Sequence, residues 1–191
     1  MSRTLANLCG CAAAAAALLA GCGGGERRDA DVPGGTYTVD VARASFAPEQ
    51  HLAQRAALVI SVRNAGEQAI PNLTLTVRGF SDRSSAPREA DLGRDLWIVE
   101  RGPAGAMTAF EDTWTAGRLA PGDTATLRWQ VTPVVAGRHE LTYEIAPAIA
   151  GSGRIERSRG GDARGSISVR VTDEPPRARV DPRTGAVRRR E

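Results

Sequence analysis

Apolar and polar residues alternate along six stretches of the chain, and this period of two is the main pattern in its sequence. Successive side chains of a strand point to opposite faces of a sheet, so the alternation predicts six β-strands. Residues 95–100 (DLWIVE) predict a seventh, shorter strand. We find no helical periodicity after residue 21. The six alternating stretches are residues 36–41, 58–63, 73–78, 124–132, 138–145 and 166–172.

The alternation also predicts how the strands are arranged. Each strand has one wet and one dry face, which is typical of antiparallel sheets and not of a buried parallel sheet. Turn signals such as Asn64-Ala65-Gly66 separate the strands. Six or seven short strands of this kind predict an all-β fold, an immunoglobulin-like antiparallel β-sandwich of about seven strands over residues 36–173.

Three segments of the predicted sandwich resemble a known group of modules. They are similar to bacterial cell-surface immunoglobulin-like domains related to the CARDB family, with an Asn-x-Gly strand end, a Leu-x-x-Gly turn before a strand ending in Trp, and an Ala-Gly strand entry. The resemblance implies a sandwich fold and a cell-surface setting. Residues 80–114 form a longer insertion than that group shows, and its acidic, Asn-rich ending is missing. The segments read ALVISVRNAGEQAIPNLTLTVRG, LAPGDTATLRW and AGRHELTYEIAP.

The N-terminus has the parts of a lipoprotein export signal. Residues 1–21 contain Arg3, an alanine-rich apolar run and small residues at the end. The run is too short for a stable membrane span. Leu19-Ala20-Gly21-Cys22 resembles the bacterial lipobox, in which the cysteine is lipidated and becomes the new N-terminus. We expect cleavage between Gly21 and Cys22 and lipidation of Cys22; the alternative is an ordinary signal peptide with an incidental cysteine.

Cleavage at this position would leave a mature chain with Cys22 as its single cysteine, because Cys9 and Cys11 are removed with the signal. A disulfide within the mature chain, a thiolate metal site and a catalytic cysteine are then excluded. Two acyl chains on one residue give lasting attachment. We therefore expect the protein at the cell membrane, anchored by lipid on the extracytoplasmic face.

Polar segments flank the predicted sandwich. Residues 22–35 have little apolar content and predict a flexible tether. Residues 174–191 predict a disordered, arginine-rich tail, which either contacts anionic surfaces or is simply solvated. Six arginines and two acids give residues 175–191 a net charge of +4. Residues 22–174 carry 18 arginines and 20 acids, or −2, so the domain is not a basic nucleic-acid binder.

The chain offers little material for catalysis or metal binding. It has two histidines, of which His139 is predicted to pack at the rim and His51 to lie solvated in a polar connector. The acidic pairs Glu111-Asp112 and Glu89-Asp91 are expected to be solvated loop residues. The glycine-rich residues 151–166 predict a flexible hairpin loop, because no helix follows to bind a phosphate. We expect no catalytic residue, no metal site and no cofactor.

The insertion at residues 80–114 is the best candidate for a partner surface. Long loops in compact sandwiches are often functional. The insertion contains Trp97, Phe110 and Trp114, whose side chains are of the kind that anchor interfaces. The alternative is that Trp97 and Trp114 fill the open end of the sandwich core.

These patterns favour a non-catalytic binding or scaffolding module that is held at the membrane by lipid. The expected partner is an envelope protein or a wall polymer. Two alternatives stay open at this point. One is an accessory subunit that captures a small ligand or metal for a membrane complex, and the other is a hydrolase that uses the acids of the insertion.

Overall fold

The structure is a computed structural model that describes residues 34–82, 95–174, 178–185 and 187–189. The export signal, Cys22 and the tether up to residue 33 lie outside the described residues. So do residues 83–94 of the insertion, with Glu89 and Asp91.

Strands are the regular elements of the described residues. The period-two stretches form the longer strands, because alternating residues can bury one face and solvate the other. In chain order the strands are β1 (Thr36–Ser45), β2 (Glu49–His51), β3 (Ala56–Asn64), β4 (Thr74–Arg78), β5 (Trp97–Arg101), β6 (Met107–Phe110), β7 (Thr113–Thr115), β8 (Thr124–Pro133), β9 (Gly137–Ala146), β10 (Arg154–Arg157), β11 (Arg164–Thr172), β12 (Ala178–Val180) and β13 (Val187–Arg189).

Two sheets form the sandwich. One sheet has five strands in the order β10-β1-β3-β8-β5, and the other has six in the order β2-β11-β9-β4-β7-β6. Residues that the alternation assigned to the dry faces fill the space between the sheets; Leu58, Ile60 and Val62 of β3 are fully buried. Burial of such a side chain contributes about 1.5–3 kcal/mol. The prediction of an all-β, immunoglobulin-like sandwich is confirmed.

The middle strand of the five-stranded sheet departs from the predicted pattern. The alternation predicts a wet face for β3 at Val59 and Ser61, but these residues are only 6% and 9% exposed. Arginines of the two flanking strands lie beside them, because Arg128 of β8 is opposite Val59 and Arg43 of β1 is opposite Ser61. The Ser61 and Thr126 hydroxyls hydrogen-bond at 2.9 Å. Because β3 has a neighbouring strand on each side, its outer face is less exposed to solvent than the alternation predicts.

Four short strands of the sandwich were not predicted. They are β2, β6, β7 and β10, each of three or four residues. So few residues hold at most two periods of alternation, too little for a pattern to show. β10 lies inside residues 151–166, for which we expected a flexible loop, and His51 lies in β2 and not in a connector. β10 pairs parallel to β1 and β2 pairs parallel to β11, so the two sheets are mixed and not purely antiparallel.

The two ends of the domain are set by the strand pairing. β1 begins beside the end of β3, and β3 ends beside the beginning of β8. β11 ends beside the beginning of β9, which follows directly on the end of β8. The chain therefore enters at one end of the sandwich, the N-terminal end, and β11 leaves at the opposite end, the far end. β4 and β6 both run toward the far end.

The tail contains local structure where we expected disorder. β12 and β13 pair antiparallel across residues 181–185. The Asp181 side chain accepts hydrogen bonds from the backbone N–H groups of Arg183 and Thr184, and Gly185 takes the positive φ of 68° that this turn needs. The expectation of disorder rested on proline and charge content, which does not detect a hairpin built on one aspartate turn.

Helices long and apolar enough to cross a membrane are not found among the residues that the structure describes.

Candidate functional site

The aromatic residues of the insertion have different environments. Trp97 is 1% exposed and Trp114 is 5% exposed, so neither belongs to a partner surface. Of the two interpretations of these tryptophans, their burial supports the one in which they fill the sandwich core. Phe110 is 63% exposed. The structure thus separates the three residues that the sequence had grouped as one surface.

Trp97 is held by an aromatic cluster and one polar contact. Its indole Nε1–H donates to Gln50 Oε1 at 3.0 Å, and the Gln50 amide donates to the Ala47 carbonyl. The ring centroids of Phe46, Phe80 and His139 lie 5.1–6.3 Å from that of Trp97. These contacts lie at the far end and connect the beginning of β5 to the six-stranded sheet.

Trp114 joins the two sheets near the middle of the core. Its ring meets Trp129 of β8 edge-on, at a centroid distance of 5.3 Å. A Cβ atom added at Gly102 would lie 3.1 Å from Trp114 Nε1, so the chain leaving β5 passes close over this indole. Larger residues at position 102 would need the tryptophan to move.

The histidines do not form a shared site. His139 Nε2 lies 3.0 Å from the Val135 carbonyl, and its ring packs on Trp97, as a rim histidine does. His51 Nδ1 lies 2.8 Å from both the Glu174 carbonyl and the Thr172 hydroxyl, so its ring is held at the end of β11 and not solvated as expected. Groups of three or more potential metal ligands are not found within residues 34–82 and 95–174.

The carboxylates of the insertion lie at the far end. Partial burial raises the pKa of Asp112, the hydroxyl of Ser81 lowers it by donating a hydrogen bond, and the charges of Glu111, Asp82 and Asp95 raise it. Among the described residues, these four carboxylates gather around the tip between β6 and β7, which we call the acidic tip. Glu111 is exposed and Asp112 is partly buried, so the fold removes only one carboxylate of this pair from solvent.

A different feature stands out on the surface. Three large apolar side chains are exposed in the described chain: Ile98 at 54%, Met107 at 65% and Phe110 at 63%. All three belong to β5 and β6, which are consecutive in the chain and each form an edge of one sheet. Exposed apolar residues gathered on edge strands are typical of interaction sites.

The four edges of the sandwich differ in charge. Proteins protect edge strands from pairing with other chains by placing charged residues on them. β10 reads RIER, β5 reads WIVER and β2 reads EQH, so each contains at least one charged residue. β6 reads MTAF and contains none. β6 is therefore the edge strand on which no charged residue hinders pairing with another chain.

A β-bulge places the two exposed side chains of β6 on one face. Met107 lies opposite Thr115 and Phe110 lies opposite Thr113, with Ala109 as the extra residue. Thr113 and Thr115 share one face of β7, while Trp114 between them points into the core. Without the bulge, Phe110 would lie on the same face as Trp114. Bulges commonly re-aim a side chain in this way.

These side chains border a shallow groove of about 350 Å³ on the outer face of the six-stranded sheet. Met107 and Phe110 form one wall, Ile149 and Ala150 of the β9–β10 connection form another, and Thr115 lies between them. We call the groove together with β6 the β6 site. The sequence drew attention to Phe110 and Met107 as possible anchors, but the bulge hides the period of two that would have placed them on one face.

No family model matches this chain, and no curated protein matches its sequence. Among solved structures, it is similar to the CARDB domain of a Pyrococcus furiosus protein crystallised in complex with di-metal ions. The identity is 13%, with 73% of this chain and 93% of that chain covered and a TM-score of 0.39. The solution structure of the same domain gives 13%, 73%, 94% and 0.41.

A second kind of structure is similar to the same extent. A fragment of Escherichia coli alpha-2-macroglobulin matches at 13% identity and a TM-score of 0.42, over 78% of this chain and 21% of that one. At these identities the similarity concerns the sandwich fold alone.

Proposed function

We propose that this protein is a lipid-anchored, extracytoplasmic binding module without catalytic activity, and that it engages a protein partner through the β6 site. The observation that carries the proposal is the placement of Met107 and Phe110, two of the three exposed large apolar residues of the described chain, on β6, the sheet edge without a charged residue. The lipobox at residues 19–22 supports the location.

The arrangement of the domain suits this role. The tether would join the sandwich at its N-terminal end, where β1 begins. β6 runs away from that end, toward the acidic tip formed by Glu111 and Asp112. An anchored sandwich would therefore hold this edge and tip away from the lipid attachment point, where an envelope protein can reach them.

Anchoring is tested by replacing Cys22 with serine, with Cys11→Ser as the matched control. We expect Cys22→Ser to leave the membrane fraction and the detergent phase, because serine cannot form the thioether, whereas Cys11→Ser stays in both. Detergent partition combined with fatty-acid labelling measures the outcome. Retention of label by the Cys22→Ser protein would show that the lipobox interpretation is wrong.

Partner contact is tested with a photo-crosslinking amino acid placed at position 110 in the native envelope. The control position is Thr124, which is exposed on the outer face of the five-stranded sheet. We expect a crosslinked protein partner from position 110 and none of the same mass from position 124. Equal products from both positions, or none from position 110, would contradict the role of the β6 site.

A further inference from the structure

Resting on the proposed function, we infer that β6 binds an extended segment of a partner protein as an added strand, with apolar side chains at alternate positions and arginine or lysine at the end that reaches the acidic tip. We infer strand addition from the edge of β6 that is free among the described strands. We infer the apolar side chains of the segment from the groove of the β6 site, and its basic residues from the negative charge of the acidic tip.

The backbone of β6 favours strand addition. β6 pairs with β7 on one side and has no second neighbour among the described strands. Edge strands present main-chain N–H and C=O groups that an extended peptide can pair with, and peptide-binding domains commonly use such edges. With neither a charged residue nor a proline, MTAF opposes such pairing less than the other three edges do.

The groove determines which side chains the segment would carry. Side chains of neighbouring strands lie about 4.5–5.5 Å apart at directly opposite positions. An added strand would place every second side chain beside Met107 and Phe110, which the bulge keeps on one face. These two residues are more than half exposed, so a partner would remove apolar surface from water there. Alternate apolar residues are therefore expected in the segment.

The negative charge at one end of β6 determines where the basic residues of the bound segment would lie. β6 continues directly into Glu111 and Asp112, and the carboxylates of Asp82 and Asp95 lie near enough to raise the pKa of Asp112. A segment with arginine or lysine at this end would be attracted, and an acidic one repelled. For an antiparallel added strand, the basic residues would lie at its amino end, because β6 runs toward the acidic tip. A second copy of this chain, paired through its own β6, would bring no basic cluster there.

The test uses the full chain in detergent and three fluorescent ten-residue peptides. The first has three arginines followed by alternating valine and threonine, the second has glutamates in place of the arginines, and the third is the first peptide N-methylated at alternate residues. N-methylation removes the N–H donors while keeping the side chains. We expect binding of the first peptide and a loss of at least about tenfold in affinity for each of the others.

Matched variants locate the binding. Phe110→Ser and Met107→Ser should each weaken binding of the arginine peptide, whereas Ile98→Ser on the charged edge β5 should not. Amide hydrogen exchange should slow at residues 107–110 when the peptide is added. Equal affinity for the N-methylated peptide, or an equal effect of Ile98→Ser, would overturn the inference. So would self-association that Phe110→Ser abolishes, because a second copy would then occupy the edge.

The outcome is separable from that of the proposed function. If position 110 crosslinks a partner in the envelope but the arginine peptide does not bind, the β6 site is used in another way. The added-strand inference is then wrong while the binding function stands. If crosslinking from position 110 also fails, the proposed function is lost together with the inference.

Discussion

Residues 95–115 contain a buried region, around Trp97 and Trp114, and an exposed region, around Met107 and Phe110. Both regions contain large apolar side chains. Trp97 and Trp114 are buried, whereas Met107 and Phe110 are more than half exposed. β7 lies between β4 and β6, so Trp114 projects into a core that is closed on both sides. β6 has one neighbour and a bulge, and its Met107 and Phe110 side chains face outward. Trp97 also lies on an edge strand, β5, but two phenylalanine rings pack against it. An apolar residue of this segment is therefore core or surface according to the face of the strand that carries it and to what packs against that face.

The same comparison explains why the segment was difficult to interpret from sequence. All four residues belong to types that anchor either cores or interfaces. Trp97 becomes core because residues 46–54 close over it and supply Phe46 and Gln50 as contacts. Nothing equivalent covers Phe110 among the described residues. The two regions are thus expected to respond in opposite ways to substitution, one in stability and the other in binding.

The largest expected effect separates the two regions directly. Trp97→Ala should reduce the free energy of unfolding by about 3–5 kcal/mol, because it leaves a cavity among Phe46, Phe80 and His139. Phe110→Ala, the matched variant in the exposed region, should change it by less than about 0.5 kcal/mol. Urea denaturation followed by tryptophan fluorescence or circular dichroism measures both. Similar losses would mean that β6 is part of the core.

A prediction of intermediate size tests the hydrogen bond between Trp97 and Gln50 in the buried region. Trp97→Phe would leave Gln50 Oε1 buried without the indole donor, at a cost of about 1–3 kcal/mol beyond the lost ring volume. Trp129→Phe is the control, because Trp129 Nε1 is buried and has no hydrogen-bond acceptor in the described part of the chain. We expect Trp97→Phe to unfold at the lower urea concentration. The reverse order would show that the Trp97–Gln50 hydrogen bond contributes little.

The smallest expected effect concerns the acidic tip beside the exposed region. Because burial raises the pKa of folded Asp112 above its ordinary value, the folded state binds its proton more tightly than the unfolded state. The stability that protonated Asp112 contributes is therefore lost as the pH rises from the pKa of the unfolded state through the raised pKa of the folded state. Asp112→Asn should be more stable than the native chain at pH 7, by less than about 1 kcal/mol. Asparagine also tolerates the φ of 59° at this position.

The control for this variant is Glu67→Gln, an exposed residue outside the tip. Thermal unfolding at several pH values gives the comparison. The advantage of Asp112→Asn over the native chain, measured relative to Glu67→Gln, should shrink as the pH falls and the Asp112 carboxyl becomes protonated. An advantage that is constant with pH would assign the effect to backbone conformation and not to charge.

Part of the site and most of the fold could be predicted from the sequence. The six alternating stretches predicted six strands, because a run of three or more periods shows which face is dry. Asn64 was recognised as a turn residue, but the sequence could not show that its buried amide also donates to the carbonyls of Gln68 and Leu119. The second of these contacts depends on a segment 55 residues away.

The sequence by itself determined a two-layer β-sandwich, since strands with one dry face must cover that face against another sheet. It also determined which residues could serve in a core or an interface. Only the tertiary structure decided between these roles, because burial depends on which face of its strand a side chain takes and on what packs against that face. Trp114 received a strand on each side, and Phe110, four residues earlier, was left at an edge.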